Sequence, residues 1–169
     1  MAPGEAIVIR EFQPGDEDAF RRLNEEWIVR YFALEEKDIE ALRTPRETIL
    51  ERGGRILFAL RGGEAVGCCA LLAMGPGEFE VAKMAVTERA RGCGIGRRLL
   101  RATIDAARAA GATRLFLETN SALTPAIRLY ESVGFRHIPP ERRRVSPYAR
   151  SNVQMELTLL PEFPLPRRP

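Results

Sequence analysis

Histidine and cysteine are scarce in this 169-residue chain, and long apolar runs are missing altogether. The three cysteines, Cys68, Cys69 and Cys93, are odd in number and lack C-x-x-C spacing, so neither a disulfide framework nor a zinc site is expected. They read as reduced thiols, with no metal implied. No segment approaches the ~18 consecutive apolar residues of a membrane span, and Met1-Ala2-Pro3-Gly4-Glu5 lacks the basic-then-apolar order of a signal peptide. A cytoplasmic protein with no membrane partner is therefore expected. The single histidine, His137, follows the last expected helix and reads as a strand-edge residue rather than a base. The net charge of +3 suits an anionic ligand. Without a clustered basic stripe interleaved with aromatics, however, nucleic acid is disfavoured as a partner. Nothing decides between a monomer and a homodimer.

What the chain does have is apolar residues enough, 45% of the total, for one sizeable core. We expect a single domain over 1–160, followed by a proline-rich tail over 161–169 that is extended or disordered. Ile7-Val8-Ile9-Arg10 reads as a strand, and Pro14-Gly15-Asp16 as a turn into a helix from Glu17 to Phe32 capped by Asp16 or Asp18. A second helix holds Leu34, Ile39 and Leu42 and breaks at Pro45. Ile56–Leu60, the turn Arg61-Gly62-Gly63-Glu64, and Ala65–Met74 read as a hairpin. Glu78–Val86 extends it to an antiparallel meander. Ile95, Leu99, Ala102, Ala106 and Ala110 recur at helical spacing and lead to a strand around Leu115-Phe116-Leu117, a crossover that makes the flanking strands parallel. A last helix is expected to be capped by Thr124 with Pro125 at its first position, ending at Gly134. Strands Phe135–Ile138 and Val153–Leu159 complete the sheet.

Between Val86 and Ile95 lies the most informative stretch, Arg91-Gly92-Cys93-Gly94-Ile95-Gly96-Arg97-Arg98. A strand ends before it and a helix begins in it, so several amides of the first turn lack intrahelical partners and face the positive end of the helix dipole. Glycines admit an anion close to the main chain, and arginines add charge. A dinucleotide fingerprint would need glycine in place of Arg97, and a Walker loop would need glycine-lysine-serine or threonine. Neither is present. A phosphate-bearing cofactor remains the expected occupant, against the plainer alternative of a surface turn.

With these elements in order the chain resembles the GNAT superfamily of acetyl-CoA-dependent N-acetyltransferases over nearly its whole length. Four segments carry the resemblance: Glu80-Val81-Ala82-Lys83-Met84-Ala85-Val86, the loop Arg91 to Gly96, Asn120, and Ala126-Ile127-Arg128-Leu129-Tyr130-Glu131-Ser132-Val133-Gly134-Phe135. The resemblance implies an α/β (α+β) fold with a mixed, mostly antiparallel sheet of six to seven strands. About four helices would cover its two faces, and the sheet would be splayed at strands 4 and 5. Acetyl-CoA would enter the splay, its pantetheine arm along Met84, Ala85 and Val86 and its pyrophosphate on the amides of Gly92, Cys93, Gly94, Ile95, Gly96 and Arg97 beside Arg91. Asn120 would bond the pantetheine, and Ala126 to Tyr130 would line its other side.

Tyr130 is implied as the acid that protonates the leaving thiolate, and the N–H of Val86 as the group polarising the thioester carbonyl. Glu80 is the implied base, because partial burial in an apolar strand would raise its pKa to a useful value. Glu78, Glu118 or ordered water are alternatives. Cys93 has no His-Asp partner in sequence and is read as a loop residue whose amide matters. Arg142-Arg143-Arg144 and the acidic group Glu25, Glu26, Glu35 and Glu36 are read as solvated faces. Trp27, Tyr31 and Phe32 would wall the acceptor pocket. The acceptor itself, a small amine, amino acid or protein amine, is left open. A non-catalytic acyl-CoA-binding module is the alternative to an enzyme.

Overall fold

The computed structural model describes residues 6–159. The proposed tail, 161–169, lies outside the described residues. In chain order come β1 (Ile7–Glu11), α1 (Glu17–Tyr31), α2 (Glu36–Arg43), β2 (Arg55–Arg61), β3 (Glu64–Gly75), β4 (Glu78–Val86), α3 (Ile95–Ala109), β5 (Arg114–Thr119), α4 (Thr124–Ser132), β6 (Arg136–His137) and β7 (Val153–Thr158). They form one seven-stranded sheet in the order β1-β2-β3-β4-β5-β7-β6, antiparallel throughout except where β4 lies parallel to β5. No helix among the described residues is long and apolar enough to cross a membrane.

Alternation along the strands builds two cores. On one face, Leu57, Cys69, Leu71, Val81, Leu115 and Leu117 pack against Ile95, Leu99, Leu100 and Ile104 of α3, with Ile127, Leu129 and Tyr130 of α4 alongside. On the other, Ile56, Phe58, Cys68, Ala70 and Ala85 meet Phe20, Leu23 and Ile28 of α1 and Leu42 of α2. The neighbouring cysteines Cys68 and Cys69 thus fill opposite cores, as a period of two requires. Burial pushes both thiols up, Cys69 to about 12.

Two irregularities make the site. The first is the end of pairing between β4 and β5, which match only at Glu78–Arg114, Phe79–Leu115 and Glu80–Phe116. β4 then stays on β3 as far as Val86, while β5 stays on β7 as far as Thr119. The strands part, and the β5-facing edge of β4 is left unpaired. The second is a bulge: Cys68 pairs with Ala85 and Ala70 with Ala82, so Lys83 and Met84 together oppose Cys69. Lys83 has φ of 50°, a left-handed conformation uncommon for a side chain beyond Cβ. The bulge reverses the alternation. Before it, Glu80 and Ala82 pair with Leu72 and Ala70 on the α1–α2 face; after it, Met84 and Val86 pack with the α3 core.

Three local expectations change. Asp16 stands at the N-cap of α1 without capping it, because its carboxylate is held by Arg10 at 2.6 and 3.0 Å and by the Gln13 amide at 2.7 Å. Leu123 rather than Thr124 precedes the first turn of α4, which moves Pro125 one position in. The strand expected over Phe135–Ile138 shrinks to Arg136–His137, where His137 meets Glu131 at 3.0 Å on the exposed edge.

Candidate active site

The parting of β4 and β5 opens a cavity of about 800 Å³ that runs from the start of α3 to the surface between α1, α2 and the β6–β7 loop. At one end, Gly94 adopts φ of 73° as the N-cap of α3, with no side-chain cap. The first intrahelical bond from this end is Arg98 N–H to Gly94 O at 3.1 Å, so the amides of Ile95, Gly96 and Arg97 have no intrahelical acceptor. A Cβ built on Gly92 or Gly94 meets nothing within 4 Å. These glycines serve backbone conformation, φ of 77° and 73°, and leave open space in front of the amides. Arg91 and Arg97 border that space, whereas Arg98 turns away and donates to Ile7 O at 3.0 Å. Free amides, positive charge and room are what a pyrophosphate needs. Cys93 is exposed and does not line the cavity.

The middle of the cavity is floored by the unpaired edge of β4. Thr87 N–H donates to Val66 O on β3 at 2.9 Å, so by alternation the N–H of Val86 points into the gap. Arg91 Nε reaches the Val86 carbonyl from the same side at 3.1 Å. Gly96 lets α3 approach closely; a Cβ there would stand 3.3 Å from Leu129 and 3.7 Å from Met84. Met84, Ala85, Val86, Ala126 and Tyr130 all line this part. Asn120 also borders the cavity, with its side chain partly engaged. Nδ2 donates to Arg150 O at 2.7 Å, and Oδ1 accepts from Ala122 N–H at 2.8 Å. One N–H and one lone pair remain for a ligand.

Tyr130 is half-buried, its ring edge-to-face with Phe135 at 6.1 Å, and its hydroxyl has no hydrogen-bond partner among the described residues. Burial raises the phenol's pKa, so it holds its proton firmly. Glu80 lies across the cavity floor and accepts no hydrogen bond from the described residues. Burial, reinforced by the nearby charge of Glu118, pushes its carboxyl up to about 7. Glu118 is raised too, chiefly by burial, although Ser146 Oγ and Gln154 Nε2 both donate to it at 3.0 Å. Glu78, by contrast, sits outside the cavity between Arg144 and Arg114, which hold it below the usual carboxylate range.

The sequence reading missed one cluster entirely. Lys83 Nζ donates to Asp38 Oδ1 at 2.7 Å and to Tyr148 Oη at 3.0 Å. Arg150 clasps both oxygens of Asp38 at 2.6 and 2.8 Å and reaches Glu35 at 3.1 Å. Burial alone would raise the Asp38 carboxyl, but the hydrogen bonds from Arg150 and Lys83 hold it at about 2. The side chains of Asp38 and Lys83 are 0% and 6% exposed. The available signal was Lys83, a charge at the parity whose other positions in this strand, Phe79, Val81 and Ala85, are apolar. The cluster also corrects the reading of the acidic group as solvated. Glu35 binds Arg150 and the Ala149 amide, and Glu26 accepts from Thr87 Oγ1 and the Glu88 amide. Likewise Arg142, Arg143 and Arg144 are not a free basic face: they tie the β6–β7 loop to Glu156, Ile138 O and Glu78.

A cleft at parted parallel strands, with free amides of a helix start at one end, is the arrangement that the sequence resemblance implied. The model of the acetyltransferase (GNAT) family matches residues 17–135. The chain belongs to that family. Among curated relatives, an IAA acetyltransferase of Azospirillum brasilense is 43% identical over 90 residues, 53% of this chain and 59% of the relative. The N-alpha-acetyltransferase RimI of Mycobacterium tuberculosis is 39% identical over 88 residues, 50% of this chain and 54% of that one. An uncharacterised N-acetyltransferase of Schizosaccharomyces pombe is 28% identical over 83% of this chain and 88% of its own length. The chain thus spans little more than half the length of two of these relatives. In structure, an acetyltransferase of the GNAT family from Staphylococcus aureus superposes with a TM-score of 0.83 at 20% identity, covering 92% of this chain and 100% of that one. At that identity the likeness is one of fold.

Proposed function

We propose that the protein transfers an acetyl group from acetyl-CoA to a primary amine by direct attack within a ternary complex. The observation that carries this reading is the continuity of the cavity from the free amides of Ile95, Gly96 and Arg97, along the unpaired edge of β4, to the unpaired carboxyl of Glu80. Acetyl-CoA would supply an activated thioester. The amides from Gly92 to Arg97, with Arg91, would hold its pyrophosphate, and the edge of Met84 to Val86 would pair with its amide-bearing arm as a substitute strand.

An amine is mostly ammonium at neutral pH and must lose a proton before it attacks. Glu80, with a pKa of about 7, takes that proton near neutrality while remaining basic enough to be useful. The Val86 N–H, aimed into the gap, polarises the carbonyl under attack. Tyr130 carries a free hydroxyl and delivers a proton or hydrogen bond to the departing sulfur. No metal is required by this scheme. The unpaired cysteines fit a reducing cytoplasm.

Thiol release from acetyl-CoA across a panel of amines and peptides, with Glu80→Gln and Tyr130→Phe alongside, tests the reading. Release that depends on both residues supports it. Tight CoA binding with no transfer to any acceptor would instead leave an acyl-CoA-binding module, and absence of CoA binding would sink the assignment.

A further inference from the structure

The acceptor end of the cavity holds hydrogen-bond donors that the fold does not spend. Lys83 Nζ has three N–H groups and uses two, on Asp38 and Tyr148. Tyr148 accepts from Lys83, which leaves its own O–H without an acceptor among the described residues. Both side chains line the cavity. Buried donors are normally paired, so the unspent N–H of Lys83 and O–H of Tyr148 on one cavity wall point to a ligand with acceptor oxygens.

The charges on this wall are mixed. Within the cluster, Lys83 and Arg150 are balanced by Asp38 and Glu35, so its structural duty is complete without a ligand. Beyond it, Arg52 lines the cavity with no ion pair among the described residues, and Lys37 has only a 3.7 Å contact to Glu40. Glu40, Glu80 and Glu118 line the same cavity, so the acceptor end has no surplus of positive charge, and the two unspent donors of Lys83 and Tyr148 rather than net charge select the ligand. The bulge at Lys83 matters here, because with regular alternation this lysine would point into the α3 core. Turned by its positive φ, it shares the α1–α2 face with Glu80. Their Cα atoms, three residues apart, stand at most ~10 Å from each other at ~3.3 Å per residue. A base and an ammonium on one short stretch of one face complement a short molecule with an amine at one end and an anion at the other.

We propose that Lys83 and Tyr148 dock a carboxylate of the acceptor, so that the acceptor class is a small primary amine bearing a carboxylate, such as an α-amino acid. This rests on the acetyl-transfer reading above. A peptide N-terminus offers one neutral carbonyl oxygen at the same place, where a carboxylate offers two oxygens to the two donors. Trp27, Tyr31 and Phe32 supply an apolar wall for the remainder of the acceptor.

The test uses α-amino acids, each paired with its carboxamide, its decarboxylated amine and a dipeptide beginning with the same residue. Thiol release is followed in the wild type and in Tyr148→Phe, and binding to the protein–CoA complex is measured by calorimetry. A hydrogen-bonded charge typically discriminates by about tenfold or more, so the free acid should exceed its carboxamide by at least that in kcat/KM and in affinity. Tyr148→Phe, which leaves the Lys83–Asp38 pair in place, should narrow that ratio mainly through KM for the acid. The KM for acetyl-CoA should stay unchanged. Equal use of acid and carboxamide, preference for the dipeptide, or an undiminished ratio in Tyr148→Phe would overturn the proposal. Because the calorimetry needs no turnover, preferential binding of the acid without thiol release would count against acetyl transfer while upholding the docking site.

Discussion

Glu80, in the last pair between β4 and β5, and Glu118, two residues past that pair on β5, face the same cavity, and each carboxyl is held above its ordinary pKa. The two differ in what surrounds them. Glu118 is held by Ser146 and Gln154, whereas Glu80 is bare and feels the charge of Glu118 on top of its own burial. On the proposed mechanism, that inequality makes Glu80 the base and Glu118 its charged neighbour. Activity should therefore rise with pH through about 7 as Glu80 ionises. With one acceptor used throughout, Glu118→Gln should move this limb of the kcat/KM profile toward the ordinary carboxylate value, because one raising influence is gone. Glu80→Gln should abolish the limb and lower kcat by about 10²–10⁴. A limb that stays in Glu80→Gln would assign the titration elsewhere.

Tyr130 offers a cleaner separation of chemistry from folding. Its ring packs against Phe135 and the α3 core, contacts that phenylalanine keeps, while the hydroxyl has no partner to lose. Tyr130→Phe should melt within a few degrees of the wild type and bind CoA with similar affinity. Its kcat should nevertheless fall by about 10²–10⁴ if protonation of the thiolate limits the rate. A variant with full kcat would remove Tyr130 from the mechanism.

The loop proposed to hold the pyrophosphate can be probed at Gly94. An alanine Cβ there meets no protein atom, so packing is indifferent, yet φ of 73° costs a side chain roughly 1–2 kcal/mol. Gly94→Ala should lower the melting temperature modestly. It should weaken CoA binding, read by calorimetry, more than that strain accounts for, since the methyl group enters the space in front of the amides. Phosphate-free fragments such as pantetheine, which lack the pyrophosphate, should bind wild type and variant alike. Equal weakening for both ligands would mean that the loop is merely distorted.

Much of this site is legible in the sequence because it depends on local signals. Gly92, Gly94 and Gly96 between a strand and an amphipathic helix announce free amides, and Glu80 stands out as a charge in an apolar strand. The hairpin turn at Gly62-Gly63 and the end of α3 at Gly111 are equally local, each fixed by positive φ. What escaped depends on distance. Asp38 meets Lys83 across 45 residues and Arg150 across 112, and no period or spacing encodes such a meeting. The bulge escaped as well, because one extra residue in a strand of nine leaves the composition of the run unchanged. Asp16 shows the limit of local rules: a good capping residue is drawn away by an arginine six positions earlier.

The buried partnership of Asp38 with Lys83 and Arg150 should also set the acid stability of the fold. Asp38→Asn would leave two cations around a buried neutral amide, a change that typically costs about 3–5 kcal/mol. Urea denaturation near neutral pH should show that loss as a lower midpoint with an unchanged slope. The pH dependence has a definite sign. The Asp38 carboxyl is lowered from 3.8 to about 2 in the folded state, so the folded protein binds its proton less readily than the unfolded chain does. Its contribution is fully present above pH 4 and is lost as the pH falls through the folded value. At about 1.4 kcal/mol per pKa unit, that part amounts to roughly 2 kcal/mol. Wild type and Asp38→Asn should therefore converge in stability as the pH is lowered from 4 toward 2. A gap that stays constant over this range would mean that the cluster stabilises by packing rather than by charge.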